Sequence, residues 1–298
     1  MAPSTSSAQP DVLIDKRSDG VALITLNRPD SLNAMGGQLM PMLAGYLDDC
    51  VRDRDVRCVV LTGAGRAFCA GGDVKGMAAR PDRAEGRPAA TAEGAGPAPG
   101  SSDGQQSSLI GAFDAGVAGL RESQMRTSYV LHTMPKPTIA MVNGYAVGAG
   151  LSLALAADIR IASEQAKFGT AFRNVGLSGD FGGSFFMTKL VGPGKARELY
   201  FTAEMLDAEE AYRLGIANRV VPHDKLAEET LALAAKIASG PTGTYARMKE
   251  NLNRAEFTDL KTLLDQEALN MRLSGMSNDS REAVTAFVEK REPKFAGN

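Results

Sequence analysis

Histidine and cysteine are scarce in this chain. Its two histidines, His132 and His223, lie far apart and form no H-E-x-x-H pair, so neither a zinc-protease site nor a histidine-rich metal site is expected. The three cysteines, Cys50, Cys58 and Cys69, form no C-x-x-C pair. A sparse, odd number of cysteines is typical of reduced thiols in a reducing compartment. The sequence therefore predicts a cytoplasmic protein that holds no metal ion.

Long apolar runs and an excess of one charge are also absent. No stretch of about 18 consecutive apolar residues occurs, so no segment is expected to span a membrane. Residues 1–10 have neither a basic start nor an apolar core, and no secretory signal is expected there. The 33 lysines and arginines against 35 aspartates and glutamates give a formal charge of −2, which argues against a surface for nucleic acid.

The chain has 298 residues, 44% of them hydrophobic, and can bury a large core. Residues 78–108 differ from the rest, because they contain no Val, Ile, Leu, Met, Phe, Tyr or Trp. Such a segment cannot offset the entropy lost on ordering, so it is predicted to be a disordered surface insertion, with a mobile lid as the functional alternative. Elsewhere, strands followed by helices predict an α/β core over 1–220 and a helical C-terminal layer over 221–298.

Two short motifs match known sites only in part. The glycine run that begins at Gly63 lacks the third glycine and the helix of a dinucleotide-binding turn, so that function is not expected. The run around Ser152 is close to the nucleophile elbow G-x-S-x-G, and Ser152, Asp180 and His223 follow in the order of α/β-hydrolases. The final glycine is absent, however, and Ser152 is expected inside a helix. A serine hydrolase is kept as an alternative.

Two glycine-rich turns indicate a different kind of site. One covers 68–73 and follows a predicted strand over 58–62, and the other covers 143–150 and leads into a predicted helix. Each turn can present a backbone N–H that has no intrahelical partner, and the helix dipole favours an anion at the second one. Two converging N–H groups form an oxyanion hole, which stabilises negative charge developing on an oxygen atom. Two ordinary turns are the alternative.

Longer stretches resemble the crotonase, or enoyl-CoA hydratase/isomerase, superfamily from about residue 12 to residue 295. The segments that carry the resemblance are 27–29, 32–34, 68–73, 135–138, 143–145, 148–150, 157–159, 167–169, 176–177, 182–183 and 190–192. The resemblance implies a ClpP/crotonase-like α/β fold with a core of ββα repeats. It also implies an enzyme acting on an acyl-CoA thioester, with no cofactor beyond the CoA of that substrate. Homotrimers or hexamers are implied too, with 221–298 as the oligomerisation and lid region.

The same resemblance assigns roles to residues of the two glycine turns. The N–H groups of Gly72 and Ala149 fall on the family's oxyanion-hole positions and would hold the thioester oxygen while an enolate forms. The loop that contains Ala70, Gly71 and Asp73 falls on the segment that meets the adenine and pantetheine of CoA.

The chain departs from hydratases at the two positions of their catalytic glutamates, where it has Ser152 and Phe172. Hydration needs carboxyl groups to activate water and to deliver a proton, so the standard hydratase mechanism is not expected. Both residues are still predicted to line the substrate site. Asp180 aligns with an aspartate of dienoyl-CoA isomerases and of the epoxide/enoyl-CoA isomerases of phenylacetate degradation. A single base can move a double bond, provided that burial beside Phe181 raises the pKa of Asp180 above about 3.9.

The preferred function is therefore double-bond isomerisation of an enoyl-CoA with Asp180 as acid and base. Two alternatives share the fold. One is an enoyl-CoA hydratase with a different acid/base group, and the other is an acyl-CoA-binding protein without catalysis. At the level of the residue, Asp180 can instead be a turn or N-cap residue of the helix that follows it.

Overall fold

The structure is a computed structural model that describes residues 9–74, 76 and 102–298. In chain order its elements are β1 (Val12–Lys16), β2 (Val21–Leu26), α1 (Leu39–Arg52), β3 (Cys58–Gly63), β4 (Ala67–Cys69), α2 (Ser102–Arg126), α3 (Ser128–Thr133), β5 (Thr138–Val142), β6 (Tyr145–Val147), α4 (Ala149–Ala156), β7 (Ile159–Ser163), β8 (Lys167–Gly169), α5 (Gly183–Thr202), β9 (Leu206–Asp207), α6 (Ala208–Arg213), β10 (Arg219–Val221), α7 (Leu226–Ala238), α8 (Thr242–Ala255), α9 (Leu260–Gly275) and α10 (Asn278–Glu289).

The main sheet has six strands in the order β1-β2-β3-β5-β7-β10. The first pair is an antiparallel hairpin, and the other neighbours are parallel. Strand β3 is buried along its whole length and alternates its side chains between two apolar layers. Val59 and Leu61 belong to the layer that contains α1, whereas Cys58 and Val60 belong to the layer that contains α7. This double burial explains the unbroken apolar run of a central parallel strand.

A second, smaller sheet has the order β4-β6-β8-β9 and positions the site described below. Three of its strands, β4, β6 and β8, each follow directly on a strand of the main sheet in the chain, which produces the predicted ββ repeat. At the β5–β6 turn the backbones come very close, because a Cβ built on Gly144 would lie 2.7 Å from the carbonyl carbon of Arg66. A residue with a side chain would push the two sheets apart at this turn.

Three sequence predictions need correction in their boundaries. Residues 78–101 of the predicted insertion lie outside the described residues, while helix α2 already begins at Ser102, since elongation of a formed helix is inexpensive. The sequence predicts one helix over 109–133 that Pro135 ends, but the helix is interrupted at Thr127, whose φ of −125° and ψ of −84° separate α2 from α3. The sequence also predicts a strand over 167–172, but that strand ends at Gly169, and a 3₁₀ turn, Phe172–Val175, begins where it was expected to finish.

Helix α8 is fastened to the core by one buried lysine. The Nζ of Lys249 donates to the carbonyl of Leu131 at 3.0 Å, to that of Lys136 at 3.2 Å, and to Oδ2 of Asp158 at 2.9 Å. Burial lowers the pKa of Lys249, and the Asp158 carboxylate opposes that change. A buried charge is tolerated only with such partners. The C-terminal helices are thus tied to the core, and the division at residue 220 stays a prediction. No helix of the described ranges is long and apolar enough to cross a bilayer.

Candidate active site

The two glycine turns predicted to form the site lie against each other. A Cβ built on Gly71, whose φ is +88°, would lie 2.7 Å from the carbonyl oxygen of Val147 and 3.3 Å from the nitrogen of Ala149. A Cβ on Gly150 would collide with the backbone of Cys69, only 2.7 Å from its carbonyl carbon. Such distances are shorter than real side chains adopt, so the loop after β4 can touch the first turn of α4 only where both carry glycine.

This contact leaves two backbone donors free. Within the described part of the chain, the N–H groups of Gly72 and Ala149 have no hydrogen-bond acceptor. The neighbouring groups are fixed, because the Met35 N–H donates to the Gly71 carbonyl at 2.7 Å and the Gly148 N–H donates to the Gly169 carbonyl at 2.8 Å. Ala149 is the first residue of α4, where the helix dipole adds positive potential. Each group can donate to an oxygen atom from outside the chain, and their convergence on one oxygen stays a prediction.

The predicted CoA-contacting loop is anchored through its own polar groups. The Ala70 N–H donates to the Leu32 carbonyl at 3.0 Å. The carboxylate of Asp73 lies 3.5 Å from Nη2 of Arg28 and accepts from the Gly76 N–H at 2.9 Å. The Asp73 side chain therefore holds the loop in place. Contact of Ala70, Gly71 and Asp73 with CoA stays a prediction.

Ser152 and Phe172 come to the same end of α4. The Ser152 side chain is 1% exposed, and its hydroxyl donates to the Gly148 carbonyl at 3.3 Å. Phe172 is 7% exposed, and its ring packs beside Gly148, where an added Cβ would lie 3.8 Å from Cε1 of the ring. Neither side chain can exchange a proton near neutral pH. This side of the site is therefore without an acid or base of its own.

Asp180 supplies a carboxyl group from the loop between the 3₁₀ turn and α5. Its Oδ1 is buried and has no hydrogen-bond partner among the described residues. Burial raises the pKa of Asp180, because the charged form is poorly solvated there. The next residue, Phe181, has a φ of +50°, and its N–H donates to Oε1 of Gln124 at 2.9 Å. This strained, bonded residue holds the Asp180 loop in one conformation.

Asp180 does not cap the helix. The N-cap of α5 is Gly182, and no side chain accepts a hydrogen bond at that helix terminus. The Gly183 N–H instead donates to the main-chain carbonyl of Asp180 at 3.1 Å. The N-cap role is therefore wrong, whereas the turn role is confirmed, since Asp180 is the first residue of the turn that this bond closes. The turn uses the main-chain carbonyl of Asp180, and its carboxyl group remains available for other chemistry.

Tyr200 is a site residue that the sequence did not reveal. A Cβ built on Gly179 would lie 3.2 Å from Cε1 of Tyr200, and one built on Gly183 would lie 2.8 Å from its hydroxyl oxygen. The Tyr200 ring stacks on Phe172 with centroids 6.1 Å apart and planes at 20°. Burial and the charge of Asp180 raise the pKa of Tyr200 to about 12, so its hydroxyl stays protonated at neutral pH. No local motif marks this tyrosine, which sits inside an ordinary helical pattern.

Comparison with known proteins agrees with this geometry. The family model described as enoyl-CoA hydratase/isomerase matches residues 16–93 and 105–298. The chain belongs to this family. The 1,2-epoxyphenylacetyl-CoA isomerase of Escherichia coli is 38% identical over 93% of this chain and 95% of its own length. The short-chain-enoyl-CoA hydratase of Clostridium acetobutylicum is 32% identical over 95% of this chain and 96% of its own. The crystal structure of an enoyl-CoA hydratase from Bacillus anthracis superimposes with a TM-score of 0.80 and is 30% identical in sequence. The match includes 97% of this chain and 100% of the hydratase chain.

Membership confirms the predicted crotonase-like α/β fold and an enzyme of the enoyl-CoA hydratase/isomerase family with an acyl-CoA substrate. The serine-hydrolase alternative is wrong. The Nδ1 atom of His223 lies 2.9 Å from Oγ of Ser163 at the end of β7, whereas the hydroxyl of Ser152 bonds to a backbone carbonyl. Within the described ranges no group of His, Cys, Asp and Glu side chains is arranged to hold a metal ion.

The close contact of the two turns predicts the effect of a single methyl group. Gly71→Ala should lower the free energy of unfolding by about 1–3 kcal/mol, because the new Cβ would meet the Val147 carbonyl. It should also lower kcat with an enoyl-CoA substrate by about 10²-fold or more, because the Gly72 N–H is displaced. Urea unfolding and steady-state kinetics measure both effects.

Gly116→Ala is the matched control for that variant. Gly116 lies inside α2 with no atom within 4 Å of an added Cβ, so alanine should leave activity unchanged and stabilise the helix by up to about 1 kcal/mol. Full activity of Gly71→Ala would contradict the importance of the contact.

Proposed function

We propose that this enzyme moves a carbon–carbon double bond within an enoyl-CoA thioester, with Asp180 as both acid and base. The observation that carries the proposal is the buried Oδ1 of Asp180, which has no hydrogen-bond partner among the described residues. Phe172 connects this loop to the start of α4, because its ring lies 3.6 Å from a Cβ built on Gly179 and 3.8 Å from one built on Gly148. The two positions where the family resemblance places the hydratase glutamates hold Ser152 and Phe172. Asp180 is therefore the acid/base group that the reaction uses.

In this mechanism the thioester oxygen accepts hydrogen bonds from the N–H groups of Gly72 and Ala149. Removal of a proton beside the carbonyl carbon moves an electron pair toward that oxygen and forms an enolate. The two donors are fixed before the substrate arrives, and removal of one such preorganised donor lowers kcat by about 10²–10³-fold. No cofactor beyond the CoA of the substrate takes part.

Asp180 carries the proton between two carbon atoms. The C2–H bond of a 3-enoyl thioester breaks, the proton passes to the Asp180 carboxylate, and its electron pair enters the dienolate. The protonated carboxyl group then delivers the same proton to C4, so that a C4–H bond forms and the double bond shifts to C2–C3. No water, oxidant or reductant is consumed. A base with a raised pKa both accepts and returns such a proton readily.

Two alternative functions remain outcomes of the test. Hydration is supported by relatives such as the Clostridium acetobutylicum hydratase, but it needs a group that activates water, and neither Ser152 nor Phe172 can do so. An acyl-CoA-binding role without catalysis leaves the buried Oδ1 of Asp180, which has no partner among the described residues, unexplained. The name of the Escherichia coli relative and the stacked Phe172 and Tyr200 rings make phenyl-bearing acyl groups worth testing beside straight chains.

Replacement of Asp180 tests the proposal directly. Wild-type enzyme given 3-enoyl-CoA should produce the conjugated 2-enoyl thioester, followed by its ultraviolet absorbance, and Asp180→Asn should lower kcat by about 10²–10⁴-fold. Asp265→Asn, an exposed substitution on α9, should have no effect. Loss of absorbance from 2-enoyl-CoA with ¹⁸O from labelled water in the product would establish a hydratase instead. Binding of acyl-CoA without turnover would leave only the binding role.

The raised pKa of Asp180 predicts opposite pH effects on activity and stability. Asp180 accepts a proton only as the carboxylate, so kcat/KM should fall as the pH falls through a pKa above the ordinary value of about 3.9. Because the folded protein binds this proton more tightly than the unfolded chain, the contribution of Asp180 to stability is present at low pH and lost as the pH rises through the folded-state pKa.

Asp180→Asn should therefore resist urea better than the wild type at pH 7, and the difference should shrink below about pH 4. Urea titrations at several pH values measure this, beside a pH profile of kcat/KM. Equal stability of the two proteins at pH 7 would argue against a poorly solvated carboxylate.

The C-terminal helices support the proposal of a homotrimer or hexamer. Large apolar side chains more than half exposed on this part of the chain include Phe257, Leu260, Leu264, Met271, Met276, Val284, Phe287 and Val288. Large apolar side chains exposed in such number are typical of an interface between protein chains. Phe287, 85% exposed on α10, should be central, and Phe287→Asp should convert the oligomer into smaller species in sedimentation velocity. Arg213→Ala, an exposed substitution on α6 outside this surface, is the control, and a monomeric wild type would contradict the proposal.

A further inference from the structure

The kink in α5 returns Tyr200 to the start of its own helix. Gly192 has non-helical angles, φ +78° and ψ +163°, and Pro193 follows it. In a straight helix Gly183 and Tyr200 would lie about 26 Å apart, at about 1.5 Å per residue. Yet a Cβ built on Gly183 would lie only 2.8 Å from the Tyr200 hydroxyl oxygen. The second half of α5 must therefore fold back toward the loop that carries Asp180.

The Tyr200 side chain spans the backbone on both sides of Asp180. Its Cε1 faces Gly179, where an added Cβ would be 3.2 Å away, and its hydroxyl faces Gly183. The Gly183 N–H in turn bonds to the Asp180 carbonyl at 3.1 Å. Stacking on Phe172 holds the ring in this place.

The surrounding backbone fixes this end of α5. The Thr170 hydroxyl donates to the Leu199 carbonyl at 2.9 Å, and Nη1 of Arg173 donates to the Thr202 carbonyl at 3.0 Å. These two bonds join the last turn of α5 to the segment that holds Phe172. Tyr200 is thus positioned by three independent contacts rather than by its own helix alone.

Two complementary polar groups are left without partners in this cluster. Among the described residues, Oδ1 of Asp180 is a buried acceptor that receives no hydrogen bond, and the hydroxyl of the half-buried Tyr200 makes none. The charge of Asp180 acts on Tyr200 and helps to keep the phenol protonated. A buried acceptor without a partner gains free energy when a donor reaches it. The small Ser152 side chain, also next to Gly183, leaves room for the Tyr200 hydroxyl.

We propose that Tyr200 is a positioning residue for Asp180, whose carboxyl group its hydroxyl bonds, directly or through one water molecule, during the reaction. This inference rests on the proposed function. A hydroxyl group donates to the carboxylate and accepts from the protonated carboxyl group, so it can orient Asp180 in both states. Proton removal at one carbon and return at another both need the carboxyl group in a defined direction.

Tyr200→Phe keeps the ring and its stacking and removes only the hydroxyl. We expect kcat to fall about 10- to 100-fold, because a hydrogen bond to a charged group is lost. KM and the midpoint of urea unfolding should stay nearly unchanged. Tyr212→Phe, which removes an exposed hydroxyl on α6, is the matched control and should leave kcat as it is.

A double-mutant cycle separates positioning from a general structural effect. In the Asp180→Asn background, measured in single turnovers with enzyme in excess, Tyr200→Phe should cause little further loss, because its partner is already gone. The same fold-loss in both backgrounds, or wild-type kcat in Tyr200→Phe, would overturn the inference.

The two proposals fail in different ways. Full activity of Asp180→Asn would overturn the proposed function. An inactive Asp180→Asn enzyme together with an unaffected Tyr200→Phe enzyme would overturn only the role of Tyr200.

Discussion

The structure depends on one steric constraint, the approach of the loop after β4 to the first turn of α4. Gly150 lies against the backbone of Cys69, and Gly71 lies against Val147. A Cβ at either glycine would hold the two segments apart. Because they touch, the N–H groups of Gly72 and Ala149 are left without internal acceptors on one side of the molecule. The two free donors therefore arise from backbone geometry, and the proposed oxyanion hole needs no side chain.

Asp180 illustrates the cost of keeping a reactive group. An unpartnered buried carboxyl oxygen destabilises a protein, and the left-handed conformation of Phe181 beside it adds strain. Neither feature helps folding, and the bond from Phe181 to Gln124 compensates only part of the cost. Unpartnered buried charges and strained residues are typical of functional sites, because a group arranged for activity often lowers the stability of the folded protein. The location of the strain thus argues for function independently of any resemblance.

Local patterns were sufficient to predict most of the fold. The turn sequence Ser18-Asp19-Gly20 between two β-rich runs predicts the hairpin of β1 and β2, and the apolar run over 58–62 predicts strand β3. The spacing of Asp207 and Glu210 predicts a capping bond at the start of α6. The structure confirms all three. The glycine turns of the site were also predicted, since glycine has a clear positional meaning. The sequence did not predict that Tyr200 lies near Asp180, because this proximity depends on the kink at Gly192. Tertiary packing decides the direction in which a helix continues after a kink. The predicted strand over 167–172 is too long because tertiary packing also decides where it ends. Phe172 packs beside Gly148 instead of continuing the strand.

The choice between isomerisation and hydration can be argued from what a single carboxyl group is able to do. Hydration adds a hydrogen atom and a hydroxyl group from water, so it requires a site for that water and a second group to place the proton. Isomerisation only relocates a proton that the substrate already has, and one carboxyl group within reach of both carbons is enough. The Phe172 ring is apolar and Ser152 bonds to its own helix, so neither side chain is a second acid. In the proposed mechanism, where two backbone donors stabilise the enolate, the side chains that remain favour the reaction that needs no water.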